Sequence, residues 1–289
     1  MSAQGPAVAG RSALPPLPPP LPAPVVDSHC HLDMRREDTG EGEQLSVDEA
    51  IRSAAAVGVP RIVQIGCTIP GARWAVDAAE RYDALVAGVA LHPNEAARLD
   101  PRELDDALAE IDRLAGASPR VRAIGETGLD HFRTSESGWK QQEASFRAHI
   151  ALAKRHDKTL VIHDRDAHDD VLRVLAEEGA PERVVMHCFS GDAAMARECV
   201  RRGYFVSFSG TVTFASAAKL REAAAVVPLG QLLVETDAPF LTPHPYRGRP
   251  NASYLVPLTV RRLSEVTGIA LEELCTGIRT ATERAFGVW

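Results

Sequence analysis

The chain has 289 residues, 45% hydrophobic and 25% charged, with a formal net charge of −7. That is ordinary globular composition, and its acidity argues against a broad basic face that grips long nucleic acid. No apolar run approaches the roughly 20 residues of a membrane-spanning helix. The five cysteines (Cys30, Cys67, Cys188, Cys199, Cys275) are odd in number and form no C-x-x-C pair, which fits a reducing compartment, expected to be the cytoplasm, rather than a disulfide framework.

Residues 1–23 are rich in Pro and Ala and lack the basic start and apolar run of a secretory signal. They read as a disordered or polyproline-II leader, with docking to a Pro-binding partner as a second use. From residue 24 onward, short β-branched runs alternate with longer helical patterns. The first is "VVDSH" (25–29). Ser46-Val-Asp-Glu49 is a capping box, and Gly58 stands where the helix it opens should stop. "RIVQI" (61–65) and "ALVAGVAL" (84–91) are the next strands. Asp100 with Pro101 and Glu103 starts another helix, with Pro at its first position. "VRAIGE" (121–126) precedes a long amphipathic stretch over 139–156. The strands "TLVIH" (159–163), "RVVMH" (183–187), "YFVSFS" (204–209) and "QLLVE" (231–235) follow, and the last helices fall within 256–288.

Eight strand–helix units imply parallel strands joined by crossover helices. The count favours a single TIM-like (β/α)8 barrel over 24–289, with an open doubly wound sheet as the alternative. In such a barrel the strand ends meet at one face. His29 and His31 close the first strand, Glu126 the fourth, His163 the fifth and His187 the sixth, and Asp237 follows the eighth. Residues two apart on a strand point the same way, so His29 and His31 form a two-toothed clamp at the barrel mouth while Cys30 faces outward. Four imidazoles and two carboxylates exceed what one tetrahedral ion uses and suit two divalent ions with a bridging carboxylate. Imidazole favours Zn²⁺, Mn²⁺ or Fe²⁺, whereas a site for Mg²⁺ alone is usually all oxygen; the ion's identity stays open among Mg²⁺, Mn²⁺ and Zn²⁺. His149, His156 and His168 fall on helical or loop segments and read as structural. Any one strand-end residue could be structural too; six converging on one face argue for a metal centre.

In these same segments the chain resembles the TatD-type metal-dependent deoxyribonucleases of the amidohydrolase superfamily. The resemblance rests on "DSHCHLD" (27–33), "LHP" (91–93), "IGETGLD" (124–130), "VIHDRDA" (161–167), "MHCFSG" (186–191), "FVSFSGTVTF" (205–214) and "LLVETDAPFLTPHPYRGRPN" (232–251). It implies a TIM-like barrel that hydrolyses DNA phosphodiesters, often from the 3′ end, so that DNA ends would be the substrate. It further implies that His29, His31, Glu126 and Asp237 hold one ion, that Glu126, His163 and His187 hold the second, and that His92 lies near the substrate phosphate. Arg165, beside His163, is assigned a phosphate contact as well. The chain departs from the family at Asn251-Ala252-Ser253, where Asn-Glu-Pro is common, and at Glu283, where Asn is frequent.

The mechanism expected is metal-assisted hydrolysis, with Asp237 as proton acceptor, Glu126 as the permanent bridging carboxylate, and no requirement for the CO₂ that a carboxylated lysine would need. Two other functions are consistent with the same residues: hydrolysis of another ester or amide, such as an aminoacyl-tRNA, and a non-catalytic metal-binding module. Phe189, Phe208, Phe214 and Tyr246 are the aromatic residues expected near the mouth, either to stack a terminal base or to fill the core.

Overall fold

The computed structural model describes residues 13–34 and 45–289. Eight strands, β1 (Val26–Cys30), β2 (Arg61–Gly66), β3 (Leu85–Val89), β4 (Val121–Asp130), β5 (Thr159–Arg165), β6 (Val184–Met186), β7 (Phe205–Phe208) and β8 (Leu232–Val234), form one parallel sheet in sequence order. A parallel bridge between Cys30 and Ala238 brings the last strand's end back to the first and rounds the sheet into a TIM-like (β/α)8 barrel. All eight predicted strands are present. β4 runs four residues beyond its predicted end, because Thr127 to Asp130 stay paired with Ile162 to Arg165.

The helices are α1 (Val47–Ala56), α2 (Ile69–Arg81), α3 (Pro93–Ala96), α4 (Pro101–Ala115), α5 (Glu136–Arg155), α6 (His168–Glu178), α7 (Ala193–Arg201), α8 (Ala218–Ala224), α9 (Val256–Thr267) and α10 (Leu271–Phe286). Both capping boxes form: the side chains of Ser46 and Asp100 accept the N–H of Glu49 and Glu103, whose carboxylates accept the cap N–H in return. One apolar cluster takes side chains from every strand, from Val26 of β1 to Leu233 of β8, and fills the barrel interior; Ala281, Ala285 and Phe286 of α10 pack against it. A larger cluster lies between strands and helices. The filled interior leaves the strands' C-terminal ends as the free polar face.

The leader differs from its expectation in part. Residues 13–23 run along the barrel wall without helix or strand, which departs from the disordered alternative but not from the polyproline-II one. The barrel supplies donors for carbonyls that prolines leave without strand partners. Arg249 donates to the carbonyl of Ala13, Tyr254 to that of Pro15 at 2.6 Å, and Arg261 to those of Pro19 and Pro20. Leu21 donates its N–H to Val57 at 3.0 Å and buries its side chain. Residues 1–12 lie outside the described residues, as does any part they have in docking a partner.

Candidate metal centre

β1 delivers its two histidines through an irregularity. Its register against β2 shifts between Asp27 and Cys30, so strict alternation is broken there. Cys30 turns into the outer core beside Ser253, while His29 and His31 both face the mouth with Nε2 atoms 3.2 Å apart. Asp27 fixes the segment from below: buried, it accepts the backbone N–H of Thr236 at 2.9 Å and its hydroxyl at 2.6 Å. Burial outweighs those bonds and raises its carboxyl to about 7.

β4 approaches β5 closely just past Glu126. A Cβ on Gly128 would lie 2.1 Å from the His163 carbonyl oxygen, and φ there is +138°, so only glycine fits. This contact seats His163 against β4. Its Nδ1 lies 2.7 Å from Glu126 Oε1 and its Nε2 3.2 Å from Asp130 Oδ2. Asp237 stands on a left-handed backbone, φ 55°, with its N–H held by the His29 carbonyl at 3.0 Å. A non-glycine residue in that region marks a constrained position, and here the constraint aims a carboxylate inward.

The six predicted residues converge. Glu126 Oε2 is 3.4 Å from His29 Nε2 and 3.8 Å from His31 Nε2, while Oε1 is 3.4 Å from His187 Nε2. Asp237 Oδ1 lies 3.4 Å from His31 Nε2 and 3.9 Å from His29 Nε2. Candidate ligand atoms of His29, His31 and Asp237 all lie within 4.8 Å of one another, as do those of His29, Glu126 and His187 and of His92, Glu126 and His163. Glu126 thus faces both sides of the cluster. His31 donates from Nδ1 to the Ile65 carbonyl at 2.9 Å, which turns an Nε2 lone pair inward when the ring is neutral.

Charge is tightly packed here. Burial lowers the pKa of His31, but hydrogen bonding to Asp237 and the charge of Glu126 push it to about 9. Burial acts the same way on His163, and Asp130 and Glu126 raise it to about 9. Burial raises the Glu126 carboxyl, yet the surrounding imidazoles hold it well below the usual carboxylate range. The cluster attracts positive charge that a bound cation can supply as well as a proton can.

His92 and Arg165 lie at the rim. His92 caps α3 and accepts the Asn94 N–H on Nδ1 at 3.0 Å, so a neutral ring carries its proton on Nε2, 3.6 Å from Glu126 Oε1. Burial lowers its pKa to about 3, which keeps it neutral. Arg165 lies over Phe132, its guanidinium carbon 4.0 Å from the ring centre. The two residues border a cavity of about 520 Å³ above the cluster.

Three residues of the site were not among the predicted set. Glu235 is fully buried, 2.8 Å from His187 Nδ1, and accepts the Cys188 N–H at 2.8 Å. Asp130 accepts from His163, from Asn94 Nδ2 at 3.1 Å, and from the N–H groups of Phe132 and Arg133. Cys67 Sγ lies 3.3 Å from Glu126 Oε2. A signal for one of them was present: Asp130 stands four residues from Glu126 on β4, the spacing that shares a strand face.

The three histidines read from the sequence as structural serve elsewhere. His149 Nε2 accepts the Leu91 N–H at 3.1 Å, His156 meets Asp112 at 2.6 Å, and His168 meets Asp164 at 2.8 Å. Phe189 and Phe208 are buried against each other, and Phe214 lies half-buried under Arg247. Tyr246 is half-buried beside Arg249. Asn251 holds the loop after β8, its amide donating to the Thr236 carbonyl at 2.9 Å and to that of Phe240. Glu283 pairs with Arg61, which opens β2 at the opposite end of the barrel.

A family model described as "TatD related DNase" matches residues 26–287. The chain is 46% identical over 268 residues to the "Uncharacterized metal-dependent hydrolase TatD" of Mycobacterium tuberculosis, covering 91% of this chain and 98% of that one. It is 39% identical over 266 residues to the "Uncharacterized metal-dependent hydrolase YabD" of Bacillus subtilis, covering 91% and 99%. The crystal structure of the TatD homologue YjjV from Escherichia coli superposes with a TM-score of 0.82 at 28% identity, covering 91% of this chain and 98% of that one. With the histidine and carboxylate cluster at the barrel mouth, these relationships lead to one conclusion: the chain belongs to the TatD-related DNase family and is a metal-dependent hydrolase of that family.

Proposed function

We propose that this hydrolase cleaves DNA phosphodiester bonds, acting on DNA ends in the 3′-to-5′ direction. The observation that carries the reading is the layering of charge at the mouth. Buried carboxylates of Glu126, Asp130 and Glu235 and the half-buried carboxylate of Asp237 form the floor with four imidazoles, and Arg133 and Arg165 line the cavity above them. A phosphodiester fits between, because the guanidinium groups on the rim address its non-bridging oxygens from above and cations held by the floor residues would supply further positive charge from below.

The donor set suits two divalent ions, Mg²⁺, Mn²⁺ or Zn²⁺. His29, His31, Glu126 and Asp237 would hold one, and Glu126, His163 and His187 the other. Such ions supply Lewis acidity toward phosphoryl oxygens and acidify water near neutral pH. Asp237, with a second oxygen free to face the cavity, orients the attacking water and takes up its proton. His92 donates its Nε2 proton to a non-bridging oxygen, and Arg165 adds a second donor from the rim.

The test is digestion of end-labelled single- and double-stranded DNA across a titration of each metal, with ester and amide substrates in parallel. A ladder shortening from the 3′ end is expected. Inert DNA beside rapid ester or amide cleavage would refute the reading.

A further inference from the structure

Single exposed apolar side chains are common on proteins and call for no explanation. Two on loops that follow strand ends at the mouth are a different matter: Phe240 lines the central cavity, and Phe132 packs against Arg165, which lines it. Among the described residues the aromatic rings most open to solvent are Phe132, 60% exposed, and Phe240, 41% exposed. Phe132 follows β4 and carries Arg165 of β5 on one face. Phe240 follows β8, its ring centre 6.2 Å from that of His31 on β1. In an eight-stranded barrel ordered β1 to β8, the β4–β5 and β8–β1 junctions lie on opposite sides of the mouth. The two rings therefore flank the metal cluster.

Both are anchored by the site itself. The Phe132 N–H donates to Asp130 Oδ1 at 3.0 Å, and the Phe240 N–H to the Asp237 carbonyl at 2.8 Å. The Phe240 carbonyl also accepts from Asn251. Each ring is a pre-positioned plate rather than a loose loop side chain. Space continues to both sides of the central cavity. It shares Asn94 and Arg133 with a hollow of about 590 Å³ and Cys188, Ser190 and Thr211 with a groove of about 1010 Å³.

Building on the nuclease reading above, we infer that Phe132 and Phe240 are the stacking platforms for the two nucleobases on either side of the scissile phosphate. A base held in a duplex already has its faces covered and its edge paired. The strand engaged at cleavage is therefore single or frayed, and recognition is tolerant of base identity because every base presents a flat face. Arg165 contributes to both functions: it packs over one face of Phe132 and lines the cavity that would take the phosphate.

The test uses the metal-loaded full chain as wild type, Phe132→Ala, Phe240→Ala and Phe132→Trp. Each is given a single-stranded oligodeoxynucleotide and the same strand with stable abasic residues on both sides of the cleavage position. The readout is the ratio of kcat/KM for the base-bearing over the abasic strand. That ratio is expected to fall by about 5- to 150-fold in each alanine variant, the equivalent of about 1–3 kcal/mol of stacking per base. The loss is expected in KM, and Phe132→Trp is expected to restore the ratio. Alanine variants that keep the wild-type ratio while the wild type cleaves DNA would overturn the stacking role alone. A wild type that cleaves neither strand refutes the nuclease reading, and the platforms with it.

Discussion

His187 Nδ1 lies 2.8 Å from Glu235 Oε1, and this contact turns the ring's Nε2 toward Glu126, 3.4 Å away, and Asp237, 4.0 Å away. Glu235 is fully buried just past β8, where it meets the ring and accepts the Cys188 N–H. A carboxylate placed behind a ligating imidazole fixes its tautomer and raises its basicity. Glu235→Gln should weaken metal affinity by about 10- to 100-fold while excess metal recovers most of the rate. Metal titration followed by activity measures it, and wild-type affinity in the variant would remove Glu235 from this role.

Glu126 faces both halves of the cluster, so under the two-ion proposal its loss should affect both sites together. Glu126→Gln is expected to lower bound metal below the wild-type ratio by elemental analysis and to reduce kcat by about 100-fold or more. Because Glu126 is a permanent carboxylate, chelator-stripped enzyme should regain full rate with metal alone. A bicarbonate requirement for recovery would show that some other, carbamylated group bridges the ions.

His149 gives the fold an acid limit. It is buried, accepts the Leu91 N–H on Nε2 and meets the Ser145 carbonyl with Nδ1 at 2.7 Å, and burial lowers its pKa from 6.5 to about 4. The folded value lies below the unfolded one, so the unfolded chain binds more protons between them. The contribution is fully present above about pH 6.5 and is lost as pH falls toward about 4, a change of about 3 kcal/mol. Urea unfolding from pH 7 to pH 4 should show this slope, and His149→Gln, which keeps an acceptor for Leu91, should flatten it. An equal slope in both proteins would assign the acid sensitivity to other groups.

The leader should contribute to stability. A chain beginning at Pro22 lacks buried Leu21 and the carbonyls that Arg249, Tyr254 and Arg261 address. A loss of about 2–4 kcal/mol in unfolding free energy is expected from one buried leucine and a few hydrogen bonds. Unchanged denaturant midpoints would show that the docked segment is energetically neutral.

Eight strands, their parallel sense and the placement of His29, His31, Glu126, His163, His187 and Asp237 at strand ends are legible in the amino-acid pattern, which leaves a closed barrel and an open sheet both available. These follow from local rules: β-branched runs make strands, capping residues start helices, and crossover connections place every strand's C-terminal end on one face. Only the folded molecule shows that Glu235 stands behind His187 and that Asp130 holds His163; Glu126, expected as the bridge from the family resemblance, lies 3.4 Å from both His29 and His187. The tertiary structure also decided that Phe132 and Phe240 are open to solvent while Phe189 and Phe208 are core. The register shift in β1 and the docking of residues 13–23 belong to the same group. The physical reason is one of range. Side-chain alternation reports neighbours two residues away, whereas closing the barrel sets distances between segments more than a hundred residues apart and fixes which surfaces remain uncovered.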